Sequence, residues 1–302
     1  VLDWTRWRWA GEPEFHALAE VLKADRQVRD SLGLEHRGGE MLQPWYAKQY
    51  DTKHYGELEL EYAFEIGEMP EGTVYLAGER PELNHYAING VALTSTDIND
   101  FWIDDCFKKM QIPAGALRLG RNTVTVRVSF MRTTNIEALY LVGEFGVKAQ
   151  GQICTLTGLP KRIGCENYEN YGLPFYTGCM TYRLTPEQYR GILGDAADQA
   201  ERILLSPASF TGGCVKVSAM GRTTVLGWEP YEADVTEAVR AGASIDVTVV
   251  GTRRNVFGPL HQIPKIAGAC GPGNFTTEGA GWTDEYSLID SGLTGITLRA
   301  QV

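Results

Sequence analysis

One pattern occurs twice in this chain and limits what it can fold into. The first copy runs Tyr86-Ala87-Ile88-Asn89-Gly90, then Trp102, then Leu119-Gly120-Arg121-Asn122-Thr123-Val124-Thr125-Val126. The second runs Val217-Ser218-Ala219-Met220-Gly221, then Trp228-Glu229-Pro230-Tyr231, then Ala241-Gly242-Ala243-Ser244-Ile245-Asp246-Val247-Thr248-Val249. Each copy reads as strand, Gly turn, aromatic loop, Gly turn, alternating strand. A period of roughly 130 residues is a domain rather than a solenoid unit. Two related β-domains are therefore expected, which suits a binding and scaffolding region better than a single-pocket enzyme.

The strand pattern within each copy supports this. Leu58, Leu60, Tyr62, Phe64 and Ile66 alternate with Glu57, Glu59, Glu61, Ala63 and Glu65, the signature of an antiparallel strand with one wet face. Asn89-Gly90 is a type I′ hairpin signal. Several short strands without a βαβ rhythm predict a mainly β chain built as a sandwich. The expected organisation is a helical connector over 1–46, a first sandwich over 47–150 and a second over 151–302. In the connector, apolar residues from Phe15 to Leu32 recur at helical spacing, with Arg26, Arg29 and Asp30 on the wet face. Gln43-Pro44-Trp45-Tyr46 would bring the chain onto the first sandwich. Pro186 to Leu205 reads either as one helix or as a short helix over 186–193, a loop and a strand from Ala200; the second reading is preferred. The Gly/Pro-rich stretch from Pro259 to Trp282 is long for a compact domain, so a functional or mobile loop is expected. The chain opens at Val1 inside sequence that already reads as structured, as an excised fragment or processed product would.

Composition excludes several function classes. Net charge is −10 over 302 residues and no basic block occurs, which argues against nucleic acid as a partner. No apolar run approaches the ~20 residues that cross a bilayer, so no membrane partner is expected. None of the six cysteines forms a CxxC pair, so no close-spaced zinc site is expected. Cys179 and Cys214 read as small core residues. The compartment stays open, with a secreted or periplasmic address favoured over a cytoplasmic one. No GxSxG, HExxH or P-loop is present, and Gly271-Pro272-Gly273 lacks the strand–helix surroundings of a dinucleotide site.

The run Gly227-Trp228-Glu229-Pro230-Tyr231-Glu232-Ala233-Asp234-Val235-Thr236, followed by Val239 and Gly242, has an aromatic/Pro segment leading into Asp-Val-Thr and a strand. Ile88-Asn89-Gly90 and Gly120-Arg121-Asn122-Thr123-Val124 hold the same turn positions in the first copy. With these motifs, residues 47–302 resemble the jelly-roll, galactose-binding-like "sugar-binding" domains of glycoside hydrolase family two and of rhamnosidase-like enzymes. Arg254-Asn255-Val256-Phe257-Gly258-Pro259-Leu260-His261 is similar to a segment of large bacterial glycosidase-like proteins, and Leu2-Asp3 looks like the end of a preceding domain in them. The resemblance implies two tandem jelly rolls, a carbohydrate ligand, and an upstream catalytic domain of the same polypeptide as partner. The pattern departs from the family at Met220, where Asn is usual, and at Ser244, again in place of Asn. No Asn-Glu signature flanked by barrel units is present, so no catalytic residue is carried over.

A sugar site needs an aromatic face and a few placed amides or carboxylates. Trp102, set among Asp97, Asn99, Asp100, Asp104 and Asp105, fits this; the alternative is that Trp102 packs under its loop while the acids face water. The same acids are candidates for a structural Ca²⁺, although their spacing is not that of an EF-hand. No other cofactor is expected. Trp228 and Tyr231 are candidate ligand contacts, with edge packing the alternative. Trp282, presented by small residues, is either an exposed platform or a domain-interface plug. His261 reads as a hydrogen-bonded structural residue. Glycoside hydrolysis would need paired carboxylates, for which Glu137, Glu144 and Glu285 are the candidates, with surface or interface roles as the alternative.

Overall fold

The computed structural model describes residues 1–37, 53–94 and 97–301. It is mainly β, 43% strand and 15% helix, in several antiparallel sheets. The chain divides into two compact units, Val1–Leu159 with His261–Ser287 and Pro160–Leu260 with Leu288–Val302.

The first unit contains twelve strands among the described residues: β1 Trp4–Trp9, β2 Ala19–Glu20, β3 His54–Ile66, β4 Glu71–Glu79, β5 Asn84–Ile88, β6 Val91–Leu93, β7 Ile98–Trp102, β8 Asp104–Gln111, β9 Gly120–Met131, β10 Tyr140–Glu144, β11 Gly146–Gln150 and β12 Ile153–Thr157. One sheet runs β11-β12-β3-β9-β5-β6, with β1 paired to both β2 and β3; the other runs β10-β4-β8-β7. The alternation in β3 is obeyed: Leu58, Leu60, Tyr62, Phe64 and Ile66 are buried. They form one core with Val124, Val126, Val128 and Phe130 of β9 and with Val74, Leu76 and Met110 of the second sheet. Two inward apolar faces sharing a core make the unit sandwich-like.

Helix α1, Val21–Ser31, lies in this unit. The Glu20 carboxylate caps it by accepting from the N–H groups of Leu22 and Lys23. Its buried stripe is Val21, Ala24, Asp25, Val28 and Arg29, the i, i+3, i+4, i+7, i+8 spacing of one helix face. Arg29 therefore belongs to the buried face rather than the wet one, because Asp25 one turn earlier neutralises it at 2.8 Å.

The unit boundaries differ from the expected ones in two places. β1 pairs with β3 from Thr5↔Tyr62 to Trp9↔Leu58, so the opening residues are part of the first unit's sheet and not a connector. Residues 261–287, expected in the second domain, belong to the first unit, held by buried polar contacts described below. Gln43-Pro44-Trp45-Tyr46 lies outside the described residues.

The second unit contains β13 Cys179–Leu184, β14 Arg202–Thr211, β15 Cys214–Ala219, β16 Arg222–Leu226, β17 Ala233–Asp234, β18 Ile245–Val250 and β19 Gly292–Gln301. They form a sheet β13-β18-β15-β16 and a sheet β17-β14-β19 around one core. A helix over Pro186–Leu193 is closed by a Thr185/Gln188 capping box, followed by a short helix Ala196–Gln199 and then β14, the divided version of this stretch. Cys179 is exposed and Cys214 partly so, not core: β13 is an edge strand, and Cys179, Thr181 and Arg183 are its exposed positions.

The repeated turns have the same backbone. Asn89 and Gly90 have φ of 48° and 83°, and Met220 and Gly221 have 49° and 76°, as a type I′ hairpin requires. Only the first is locked by side chains. Asn89 Nδ2 donates to Asn122 Oδ1 at 2.7 Å and its Oδ1 accepts from the Thr123 N–H. Asn122, fully buried, also donates to the carbonyls of Arg118 and Gly120. Ser244, at the matching place, is exposed. Asn122→Ala is expected to lower the unfolding free energy by about 2–4 kcal/mol, because several buried groups lose partners, and Ser244→Ala to change it by less than about 0.5 kcal/mol, both read by urea denaturation.

Candidate functional site

The concavity with the most chemistry lies in the first unit. It is a cavity of about 330 Å³ whose apolar floor includes Leu60, Val126, Val128 and Leu139. Tyr62 and Tyr86 add phenol groups, and the rim carries Glu79, Arg80, Asn84, Thr133, Asn135 and Glu137. Most of the floor follows from strand alternation, since β3 points Leu60 inward and β9 points Val126 and Val128 inward. Gly78 is needed beside it: a Cβ there would lie 3.1 Å from Leu139 Cδ2 and 3.4 Å from the Tyr86 hydroxyl. Burial pushes the Tyr86 phenol up to about 12, so it enters the cavity as a protonated donor.

A buried ion pair shapes the rim. Arg29 bonds Asp25 through Nε and donates to the carbonyls of Arg132 and Thr134 at 3.0 and 2.7 Å. Asp25 Oδ1 accepts from the Ile136 N–H at 3.2 Å. Helix α1 thus dictates the path of the β9–β10 loop, which presents Thr133, Asn135 and Glu137. Glu137 also receives a hydrogen bond from Arg37, while Tyr62 donates to the Glu137 carbonyl at 2.8 Å. About a third of the Glu137 side chain remains accessible, 33%, but it is recessed in the concavity. That burial pushes its carboxyl above the usual range, and Arg37 opposes the shift. Glu79, at the end of β4, is pushed up by burial and then by Glu137.

Of the acids named from sequence, only Glu137 lies here. Glu144 is exposed, and Glu285 is exposed and accepts from the Gly151 N–H. Glu79 carries no sequence signal beyond its place where an apolar strand gives way to the Arg80-Pro81 turn.

The aromatic candidates are dispersed. Trp102 packs on Tyr140 at 5.0 Å and on Phe107 at 6.4 Å between ring centroids. Asp100 and Asp104 are exposed and accept from the N–H groups of Phe101 and Cys106, and Asp105 pairs with Lys108. No group of three metal-ligating side chains occurs among the described residues, so this cluster offers Ca²⁺ no assembled set. In the second unit, Trp228 is 79% exposed. Tyr231 instead packs on Phe210 at 5.2 Å, beside a shallow groove that also includes Pro207 and Pro230.

Trp282 is neither isolated nor a platform. It lies 4.9 Å from the His261 ring and 6.4 Å from Trp4, and its Nε1 donates to Asp284. His261 Nδ1 faces the carbonyls of Thr283 and Glu285 at 3.1 and 3.2 Å, and Nε2 faces Asp3 Oδ2 at 3.1 Å. Carbonyls and a carboxylate only accept, so these surroundings favour a proton on both ring nitrogens. Burial opposes that charge, but the bond and charge of Asp3, with Glu20, push the His261 pKa up. Tyr286 donates to Asp3 Oδ1 at 2.7 Å. Glu20 is pushed to about 7 by burial and then by Asp3. Arg26 adds a bond to Thr277 at 2.8 Å. These contacts fasten 261–287 to the first unit.

No family model matches the chain, and no curated protein matches it. Among solved structures, an "anti-sigma factor domain-containing protein" is aligned at 11% identity and a TM-score of 0.23, covering 82% of this chain and 88% of that one. A superposition that loose transfers neither fold nor function.

A group that binds its proton more tightly in the folded state contributes full stability below its unfolded pKa and loses it as pH rises. For Glu20 that window runs from 4.5 to about 7, worth about 3 kcal/mol; for His261 the loss starts above 6.5. Urea denaturation of Glu20→Gln, which keeps the capping oxygen, is expected to show a flatter stability profile between pH 4 and 8 than the parent, with the gain at the alkaline end. Arg29→Ala, which leaves Asp25 buried without its cation, is expected to cost about 3–5 kcal/mol in the same assay.

Proposed function

We propose that this chain is a carbohydrate-binding, non-catalytic region of a larger carbohydrate-active protein, built on two jelly-roll sandwiches, with the cavity of the first unit as its sugar site. The observation that carries the reading is that cavity: an apolar floor with two phenols, rimmed by amides, hydroxyls and two carboxylates. This is the recipe for a small polyhydroxylated ligand. Its volume, about 330 Å³, is at the small end of ligand sites, so it suits one terminal ring rather than a chain. The partner domain that would supply chemistry is an upstream catalytic domain of the same polypeptide.

A second reading is favoured by one observation. Glu79 and Glu137 are two recessed carboxyls on one cavity, and glycoside hydrolysis uses such a pair. Turnover of aryl glycosides by the isolated chain, lost in both Glu79→Gln and Glu137→Gln, would select it.

The binding reading is tested on a glycan array with the parent, Glu137→Gln, Asn84→Ala, Trp102→Ala and Trp228→Ala. The expected result is a terminal-sugar signal reduced about tenfold or more by the two cavity variants, the worth of one lost hydrogen bond to a charged group, and retained by the two Trp variants. A signal lost only in Trp228→Ala would move the site to the exposed indole of the second unit. Silence across the array would leave scaffolding as the role.

A further inference from the structure

We infer that the cavity of the first unit selects a sugar ring bearing a free amino group, and that Glu79 is the residue that receives the ammonium. The inference rests on the sugar-site reading above and goes on to the class of sugar.

The partners of the two carboxylates carry it. Two carboxylates, Glu79 and Glu137, face one cavity. The guanidinium in their recess, Arg37, is committed to Glu137 by a hydrogen bond. Arg80, the other cation on the rim, is exposed and lies 3.9 Å from Glu82; it and Arg37 act on Glu79 through space, but neither forms a hydrogen bond with it. Among the described residues, the Glu79 side chain has neither a hydrogen bond nor an ion pair. A recessed carboxylate without a partner is unfavourable, and supplying a cation relieves it.

An ammonium fits what the cavity offers. It is compact and has three donors, enough to bond Glu79 and a neighbouring acceptor such as the Asn84 side-chain oxygen. The sugar ring would lie over the apolar floor, with its hydroxyls toward Glu137 and Asn135. A guanidinium-sized cation would compete with Arg37 for the same recess.

The same unit settles a second pair of acids without a ligand. Asp3 and Glu20, both buried, face one cation, His261, and a proton on Glu20 near neutral pH takes up the remaining charge. Glu79 instead faces the cavity.

The test is calorimetric titration of the whole chain at pH 6 with three sugar pairs: glucosamine and glucose, galactosamine and galactose, mannosamine and mannose. The N-acetylated forms, which keep the nitrogen and lose its charge, are a third arm, and ethanolamine is the amine without a ring. The expected result is that at least one amino sugar binds about tenfold tighter than its neutral parent and its N-acetyl form. Glu79→Gln, checked for an unchanged circular-dichroism melt, is expected to bring amine and neutral parent to equal affinity. Neutral sugars binding as tightly as amines would overturn the amine assignment while keeping the sugar site. Ethanolamine binding as tightly as the amino sugar, or an amine preference surviving Glu79→Gln, would overturn it too. No sugar binding at all would overturn both readings.

Discussion

The buried pair Arg29–Asp25 is the interaction on which the candidate site depends. Both side chains are almost wholly out of water. The pair persists there because Arg29 also donates to two carbonyls of the β9–β10 loop and Asp25 accepts from one of its N–H groups. A charged pair in the interior gains little over an apolar replacement, yet breaking it is costly. Here its geometric consequence matters most. A helix from the first residues of the chain dictates where a loop about a hundred positions later must run, and that loop carries Glu137. Gly78 and the inward faces of β3 and β9 complete the cavity, so its floor is set by the sheet and its rim by a loop tied to helix α1.

Much of the fold was legible because strand alternation has a physical period that reads directly from the residues. Leu58 to Ile66 alternates in sequence and in burial, and the Asn89-Gly90 turn is specified by the need for positive φ at both positions. The Met220-Gly221 turn is the instructive case. Its backbone matches, although Met is a poor residue for positive φ, because strand pairing of Ala219 with Arg222 leaves the chain no wider path. What was not legible is pairing at long range. Arg29 reads as a wet residue, since an isolated guanidinium costs too much to bury, and only Asp25 together with two distant carbonyls reverses that. The returning segment 261–287 hides for the same reason: its anchor is a contact between His261 and Asp3, 258 positions apart.

The candidate site was half legible. Glu137 stands out in Asn135-Ile136-Glu137 as an acid beside an apolar residue in a short loop. Glu79 does not, because a carboxylate at a strand end is ordinary until another element closes over it. The Trp102 cluster shows why its two readings could not be separated from sequence. Its acids and indole have the composition of a sugar site, but Tyr140 and Phe107 occupy the indole, and the acids turn to their own backbone and to Lys108. Composition reports which groups are near in sequence, whereas a binding site requires unoccupied faces converging on one volume.

The two repeats therefore share turns and strands while differing in how their loops dispose of apolar and charged groups. In the first unit the Trp loop folds back on the sheet, and polar chemistry collects at a cavity between loops of different strands. In the second, Trp228 stands 79% exposed on the corresponding loop, although Tyr231 three residues on packs against Phe210. An indole held in water costs apolar hydration that a sandwich edge would readily relieve. Its exposure therefore marks the second unit's loop as a surface where a flat apolar face would be stabilised by contact.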